Sequence, residues 1–312
     1  MALPIFPSAA STQAAETDRV VLGLTIVTGL ILVLVFSLIV IFSYRYRNGS
    51  TANREDPPRW LTRDFEIGWT AATFFLALFI AWWTTASSLG SLAPTPGAVQ
   101  IHVIAKQWMW KAQHPNGARE INTLHIPTGE PVTLLMTSED VIHSLFIPEF
   151  RIKQDVLPGR YTQTWFVATT PGTYHLLCTQ LCGTEHSRMV GDVIAMKPDE
   201  YAKWTAAQPM ASDIARHGEV LFRSLGCSGC HANAEYGSGV HAPPLAGIYG
   251  QRVHFTDGRS TIVDDAYIHD SIVMPSRDIV AGYENIMPSF AGQLSEEQIL
   301  ELTAYIRSLR LQ

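Results

Sequence analysis

The four cysteines of this 312-residue chain stand in two close pairs, Cys178/Cys182 and Cys227/Cys230, each followed within a few residues by a histidine. The first pair lies in Cys178-Thr-Gln-Leu-Cys182-Gly-Thr-Glu-His186-Ser-Arg-Met189, and Asp140-Val-Ile-His143 precedes it. Thiolate, imidazole and thioether are the soft donors that suit copper, and two His, one Cys and a weak Met make a single-copper site. Such a site has no use for the second thiolate. Two coppers bridged by both sulfurs do use it: each ion takes two bridging thiolates and one imidazole. Met189 and a backbone carbonyl, that of Gln180, then fill the weak axial positions. Bridging sulfur spreads one odd electron over both ions, so little geometry changes on reduction. Two other readings remain, a Cys178–Cys182 disulfide and a tetrahedral zinc site, although zinc leaves Met189 and the remote His143 unused. His102, His114, His125 and His175 read as surface or strand histidines.

The second pair reads Cys227-Ser-Gly-Cys230-His231, the C-x-x-C-H pattern that attaches a c-type haem. Two thiols add across the vinyl groups and the adjacent His takes one axial position. C-x-x-C alone also suits a redox dithiol or half a zinc site. A haem needs a sixth ligand: Met287, in Asn285-Ile-Met-Pro-Ser-Phe, is the first candidate, and Met274, in Ile272-Val-Met-Pro, the second. Met/His ligation favours a relatively high potential, suited to accepting electrons.

The elements that must position these groups follow from patterning. Hydrophobic residues make up 47% of the chain and charged ones 16%, but unevenly. The 25 residues between Arg19 and Arg45, and the 39 between Glu66 and Lys106, carry no charge. Each block is long enough for a membrane helix, with a buried soluble helix, or a signal peptide for the first, as alternatives. Two spans are expected, at 20–44 and 66–89. Arg45, Arg47, Arg54, Arg59 and Arg63 crowd the loop 45–65, against Arg19 alone in the segment 1–19. The positive-inside bias puts that loop in the cytoplasm, and both termini and the soluble domains in the periplasm of a bacterial inner membrane. Pro94 and Pro96 mark the exit. Residues 95–205 alternate in short runs between turn residues, as a sandwich or Greek-key barrel does. A linker at 206–212 leads to a helical region, 213–312, that closes on a capping box at Ser295-Glu-Glu-Gln298. Ile299, Leu302, Ile306 and Leu309 form an apolar stripe there, expected to pack near Gly218 and Phe222. The net charge of −6 argues against a nucleic-acid partner.

Residues 15–205 resemble subunit II of haem-copper cytochrome c oxidase. The resemblance rests on Lys106-Gln-Trp-Met-Trp110, Ser138-Glu-Asp-Val-Ile-His143-Ser, Lys153-Gln-Asp-Val-Leu-Pro-Gly-Arg160 and the Cys/His/Met loop. Residues 213–312 are similar to class I cytochromes c, whose axial-Met loop the Met287 phrase resembles. The resemblance implies a two-helix transmembrane hairpin, an all-β cupredoxin-like Greek-key domain holding dinuclear CuA, and an all-α cytochrome c domain with one covalent haem c. It makes His143, Cys178, Gln180 through its carbonyl, Cys182, His186 and Met189 the copper ligands. Trp108 matches the aromatic at which electrons enter, or is a strand Trp packed between domains. Glu66 takes the place of the acid at the mouth of a proton pathway, or is an acid favoured at a helix N-terminus. Gln180 stands where the family has a magnesium-binding Glu, and an amide is the poorer ligand. In Pro243-Pro-Leu-Ala-Gly-Ile-Tyr-Gly250 the Pro carbonyl is expected to orient the haem imidazole.

The implied function is that of subunit II of a terminal respiratory oxidase. Electrons from a periplasmic or membrane-bound cytochrome c-type donor pass through the haem and CuA to subunit I, with subunit III beside it, for reduction of O2 coupled to proton translocation. No histidine lies in either expected span, 20–44 or 66–89, so the O2-reducing centre belongs to another subunit. The alternative is a membrane-anchored carrier serving a nitric or nitrous oxide reductase. Residues 213–312 hold twelve Asp/Glu against seven Arg and no Lys, so 7 − 12 = −5 of the charge is here. The acidic patch that follows Trp-x-Trp in many family members is replaced by Lys111-Ala-Gln-His-Pro-Asn-Gly-Ala-Arg119. The tethered haem is expected to have taken over donor docking, held near the copper by a flexible linker at a roughly millimolar effective concentration.

Overall fold

The computed structural model describes residues 7–52, 59–89, 97–208, 212–231 and 242–309. Arg54, the Pro94/Pro96 exit and residues 209–211 of the expected linker lie outside the described residues. The chain forms two compact units, Thr12–Pro94 and, by itself, Met1–Ser11 with Thr95–Gln312.

The first unit is a pair of helices, α1 (Thr12–Arg45) and α2 (Arg59–Leu89). Both are long and apolar enough to cross a membrane. Helix α1 is longer than its apolar run, starting eight residues before Val20 with a polar turn holding Glu16, Asp18 and Arg19. Leu30, Val33 and Phe36 are exposed, as are Phe74, Phe79 and Trp82 on α2. Helices apolar on every side with their backbone bonds satisfied internally suit hydrocarbon rather than water.

The second unit opens with a two-sheet sandwich. One sheet orders its strands β3 (Arg119–Ile121), β2 (Met109–Gln113), β1 (Val99–Lys106), β5 (Pro131–Ser138), β8 (Thr162–Val167). The other runs β4 (Thr123–Pro127), β10 (Val190–Met196), β9 (Gly172–Cys178), β6 (His143–Ile147), β7 (Ile152–Val156). Pairing is antiparallel except for β1–β5 and β4–β10. The period of two along each strand sends Ile101, Leu124, Leu134, Met136, Leu145 and Phe166 into a common, fully buried core. Helix α3 (Pro198–Ala207) closes the domain. Its Tyr201 hydroxyl meets His114 Nδ1 at 3.1 Å, and its Trp204 ring stacks on His125 at 4.3 Å. Glu120 lies between those two histidines, and His175 pairs with Glu149. All three are satisfied histidines, as their scattered spacing suggests.

The C-terminal region packs α4 (Ser212–Ser224) across α7 (Glu296–Ser308), with a one-turn α5 (Ser228–His231) and α6 (Asp265–Val273) between them in sequence. A Cβ at Gly218 would come within 1.9 Å of the Glu301 carbonyl oxygen, so only glycine permits this crossing. Ile299, Leu302 and Ile306 share a core with Phe222, as the stripe predicts. Ser295 caps α7 with a reciprocal bond to Gln298. A small hairpin of β11 (Arg252–His254) and β12 (Ser260–Ile262) interrupts the expected all-helical order. The two domains of this unit touch: Asp265 accepts bonds from Gln100 and His102, and Tyr161 lies against His269. These contacts seat the helical domain on the sandwich.

Candidate metal centre and haem pocket

The Cys/His/Met loop leaves β9 at Cys178 and returns to β10 just after Met189, at the same end of the sandwich as the start of β6, His143. Strand ends fix the outer ligands and the loop folds the rest inward. Cys178 Sγ lies 3.9 Å from His143 Nδ1 and 3.8 Å from Cys182 Sγ. Cys182 Sγ in turn lies 3.3 Å from His186 Nδ1 and 3.9 Å from Met189 Sδ. The Gln180 carbonyl oxygen is 3.4 Å from Cys178 Sγ, while the residue as a whole is exposed. All six expected donors converge on one pocket. The cysteines are free thiols, not a disulfide, and His143, Cys178 and Cys182 lie close enough to hold a metal together.

Second contacts orient these donors. His143 Nε2 bonds Asp140 Oδ1 at 2.8 Å, which leaves Nδ1 facing the sulfurs. Burial opposes the charge on Asp140, but the Gln107 N–H, His143 and the Val141 N–H hold it low. Gln107 Nε2 and Trp108 Nε1 both donate to the Cys182 carbonyl, at 2.8 and 3.2 Å. The turn between β1 and β2 is thus clipped over the loop. Gly183, at φ +118, allows that approach, since a Cβ there would stand 2.9 Å from Gln107 Nε2. Asp140 and Gln107 orient the site although neither is itself a ligand. An acid three residues before a ligand His is the signal that marks the first.

Electrostatics test whether cations fit. Burial opposes ionisation of Cys178, yet bonds from His143 and the Ser144 backbone outweigh it and lower the thiol to about 6. Burial and the neighbouring Cys178 charge push Cys182 up to about 12. The site alone accepts one thiolate; a second needs positive charge between the sulfurs, as bridged metal ions provide. Two imidazole nitrogens, two thiols, a thioether and a carbonyl fit soft copper.

In the helical domain, α4 runs through a turn into Cys227, Cys230 and His231. These residues border a cavity of ≈ 220 Å³ with Phe222, Ile272, Leu302 and Ile306 in its wall. His231 Nδ1 donates to the Pro243 carbonyl at 2.8 Å, the contact expected of that segment. Met287 lines the same cavity. Met274, at the C-terminal cap of α6, is not among the residues lining it. A mostly apolar slot with two thiols, an oriented imidazole and a thioether fits a covalent haem. Trp108 is half-buried against the copper loop. Glu66 lies exposed on α2, in the other unit.

Residues 116–196 match the family described as cytochrome c oxidase subunit II, periplasmic domain, and residues 215–310 match cytochrome c. Cytochrome c oxidase subunit 2 of Alkalihalophilus pseudofirmus is 28% identical over 311 residues, covering 94% of this chain and 87% of the relative. The subunit 2 of Thermostichus vulcanus is 40% identical over 104 residues, 33% of this chain and 32% of its own. Among solved structures, the periplasmic domain of cytochrome oxidase subunit II of Bradyrhizobium japonicum is 27% identical, with 36% of this chain and 95% of that one covered at a TM-score of 0.35. The ligand loop falls inside the first match and the C-x-x-C-H motif inside the second, so the chain is similar to cytochrome c oxidase subunit II over residues 116–196 and to cytochrome c over residues 215–310, in that order along one polypeptide.

Proposed function

We propose that the chain accepts electrons for a terminal haem-copper oxidase, first at a haem c on Cys227, Cys230, His231 and Met287, then at a dinuclear CuA centre. His143, Cys178, Cys182, His186, Met189 and the Gln180 carbonyl hold the two coppers. When bound, these groups supply one-electron carriers whose geometry changes little with oxidation state. The chain's own residues do the rest. Asp140 fixes the His143 tautomer, the Pro243 carbonyl aligns His231, and apolar walls keep water from the haem. Trp108 bonds the Cys182 carbonyl directly, which suits a residue passing electrons to the copper loop. The two apolar helices anchor the domains on the periplasmic face against subunit I, where O2 is reduced and protons are moved, and Glu66 supplies a carboxylate to a proton path there. The observation that carries this reading is the convergence of two His Nδ1 atoms, two thiols and a thioether on one loop of a sandwich that is joined to a haem-type pocket.

The test is purification of the tagged chain from its own membranes. A many-helix haem-copper subunit is expected to co-purify, and the complex to consume O2 with reduced cytochrome c. Cys182→Ser is expected to abolish that turnover while the far-UV spectrum stays unchanged. Isolation without such a subunit, or with nitric or nitrous oxide as the gas consumed, would overturn the oxidase assignment.

A further inference from the structure

The stretch from Lys111 to Arg119 has its two cations occupied. Lys111 Nζ lies 3.0 Å from Glu297 Oε1 and 3.4 Å from Glu139 Oε1. Arg119 Nη2 lies 3.1 Å from Glu301 Oε1. Glu297 and Glu301 stand four residues apart on α7, about 6 Å along its axis. Arg119 pairs with Gln113, two residues beyond Lys111 on β2, so the cations share one sheet face and are offset by about 6.6 Å along the strands. The helix spacing of the acids matches the strand spacing of the bases.

Behind this rim the contact is buried. Asp265, 3% exposed at the start of α6, accepts from Gln100 Nε2 and His102 Nε2, each at 3.0 Å. Tyr161 and His269 meet ring to ring at 4.4 Å. The face also reaches toward both sites. Glu139 adjoins Asp140, the partner of His143, while Glu297 lies in the first turn of α7, at the end of the segment that begins with Met287.

We propose that this sheet face is a built-in dock for the chain's own haem domain, with Lys111 and Arg119 seating Glu297 and Glu301 in one pose, so that this face of the copper domain is closed to a separate cytochrome. Lys111 and Arg119 are positioning residues. The claim that the seated pose serves electron transfer rests on the function proposed above. The partner is the haem domain of the same chain, argued from charge: that region carries −5 and no lysine.

Zero-length carbodiimide cross-linking of the full-length, cofactor-loaded chain, read by peptide mass spectrometry, tests the dock directly. A Lys111–Glu297 link within one chain is expected. The reversal Lys111→Glu/Arg119→Glu should lose it and slow haem-to-copper electron transfer after photoreduction by about tenfold, and adding Glu297→Lys/Glu301→Lys should restore the rate. The milder Arg119→Gln, which keeps the Lys111 amine and loses the pairing to Glu301, should weaken the link if the reversal does not fold. Absence of the link in the unmodified chain, a link only between two chains, or an unchanged transfer rate in a reversal variant with intact copper and haem spectra would overturn the dock. A link that forms while the unmodified chain transfers no electron from haem to copper would leave the dock standing and break the functional reading instead.

Discussion

The copper loop and the haem pocket depend on their cofactors in opposite ways. The sandwich has a complete core, with Ile101, Leu134, Leu145 and Phe166 fully buried, and its ligand loop is already held by Gln107, Trp108 and Asp140. The helical domain instead borders a cavity of ≈ 220 Å³ with apolar side chains, Phe222, Ile272 and Leu302 among them. Walls of that composition suit a large apolar cofactor rather than water. Copper would add charge to a loop that protein contacts already hold, whereas haem would add apolar contact to the core of the helical domain.

The most damaging way to probe this difference is to prevent haem attachment. Cys227→Ala/Cys230→Ala should leave residues 213–312 protease-sensitive and without a cooperative melting transition, while residues 97–208 stay resistant. Limited proteolysis followed by mass spectrometry reads both at once; equal resistance of the two regions would break the comparison. A smaller effect is expected at the helix crossing. Gly218→Val drives a side chain into the Glu301 carbonyl and should destabilise the haem domain by about 3 kcal/mol, leaving the copper-domain transition in place. Calorimetry on the loaded chain would show one transition moving and the other fixed.

The mildest effect is pH dependence at the seam. Burial opposes a charge on His269, but Asp270 and Glu296 outweigh it and raise the imidazole to about 9. A folded value above the unfolded one, about 6.5, means the contribution is full below that pH and disappears as pH climbs through 9. It amounts to at most about 3 kcal/mol. Asp265 and Asp270, held low by their partners against burial, add the opposite limb, lost as the pH falls through their lowered values. The haem-domain transition should therefore drop between pH 6.5 and 9. His269→Gln should flatten that decline, and a decline that survives it would remove His269 as the cause.

The two sites differ also in how readable they are from residues alone. Cys178 to Met189 and Cys227 to His231 are local runs, and covalent or ligand chemistry dictates their spacing. The Pro243 carbonyl and the Ser295 cap were legible for the same reason, since each acts within a short stretch. The stripe Ile299, Leu302, Ile306 carries a helical period that implies a partner helix, and Gly218 marks where it crosses. Asp140 was less legible, because an acid beside a histidine faces solvent as readily as it orients a ring. The seam was not legible. Asp265 reads as an acid at a helix start, and Lys111 as an exposed strand cation. Only the tertiary arrangement joins positions more than 160 residues apart, Gln100 with Asp265 among them.

Copper stoichiometry with electron paramagnetic resonance on the purified, loaded chain is the most direct test of the account. Two coppers per chain sharing one unpaired electron, together with one covalently bound low-spin haem, are expected. A single copper per chain with its electron confined to one nucleus, or Cys178 bonded to Cys182, would contradict it.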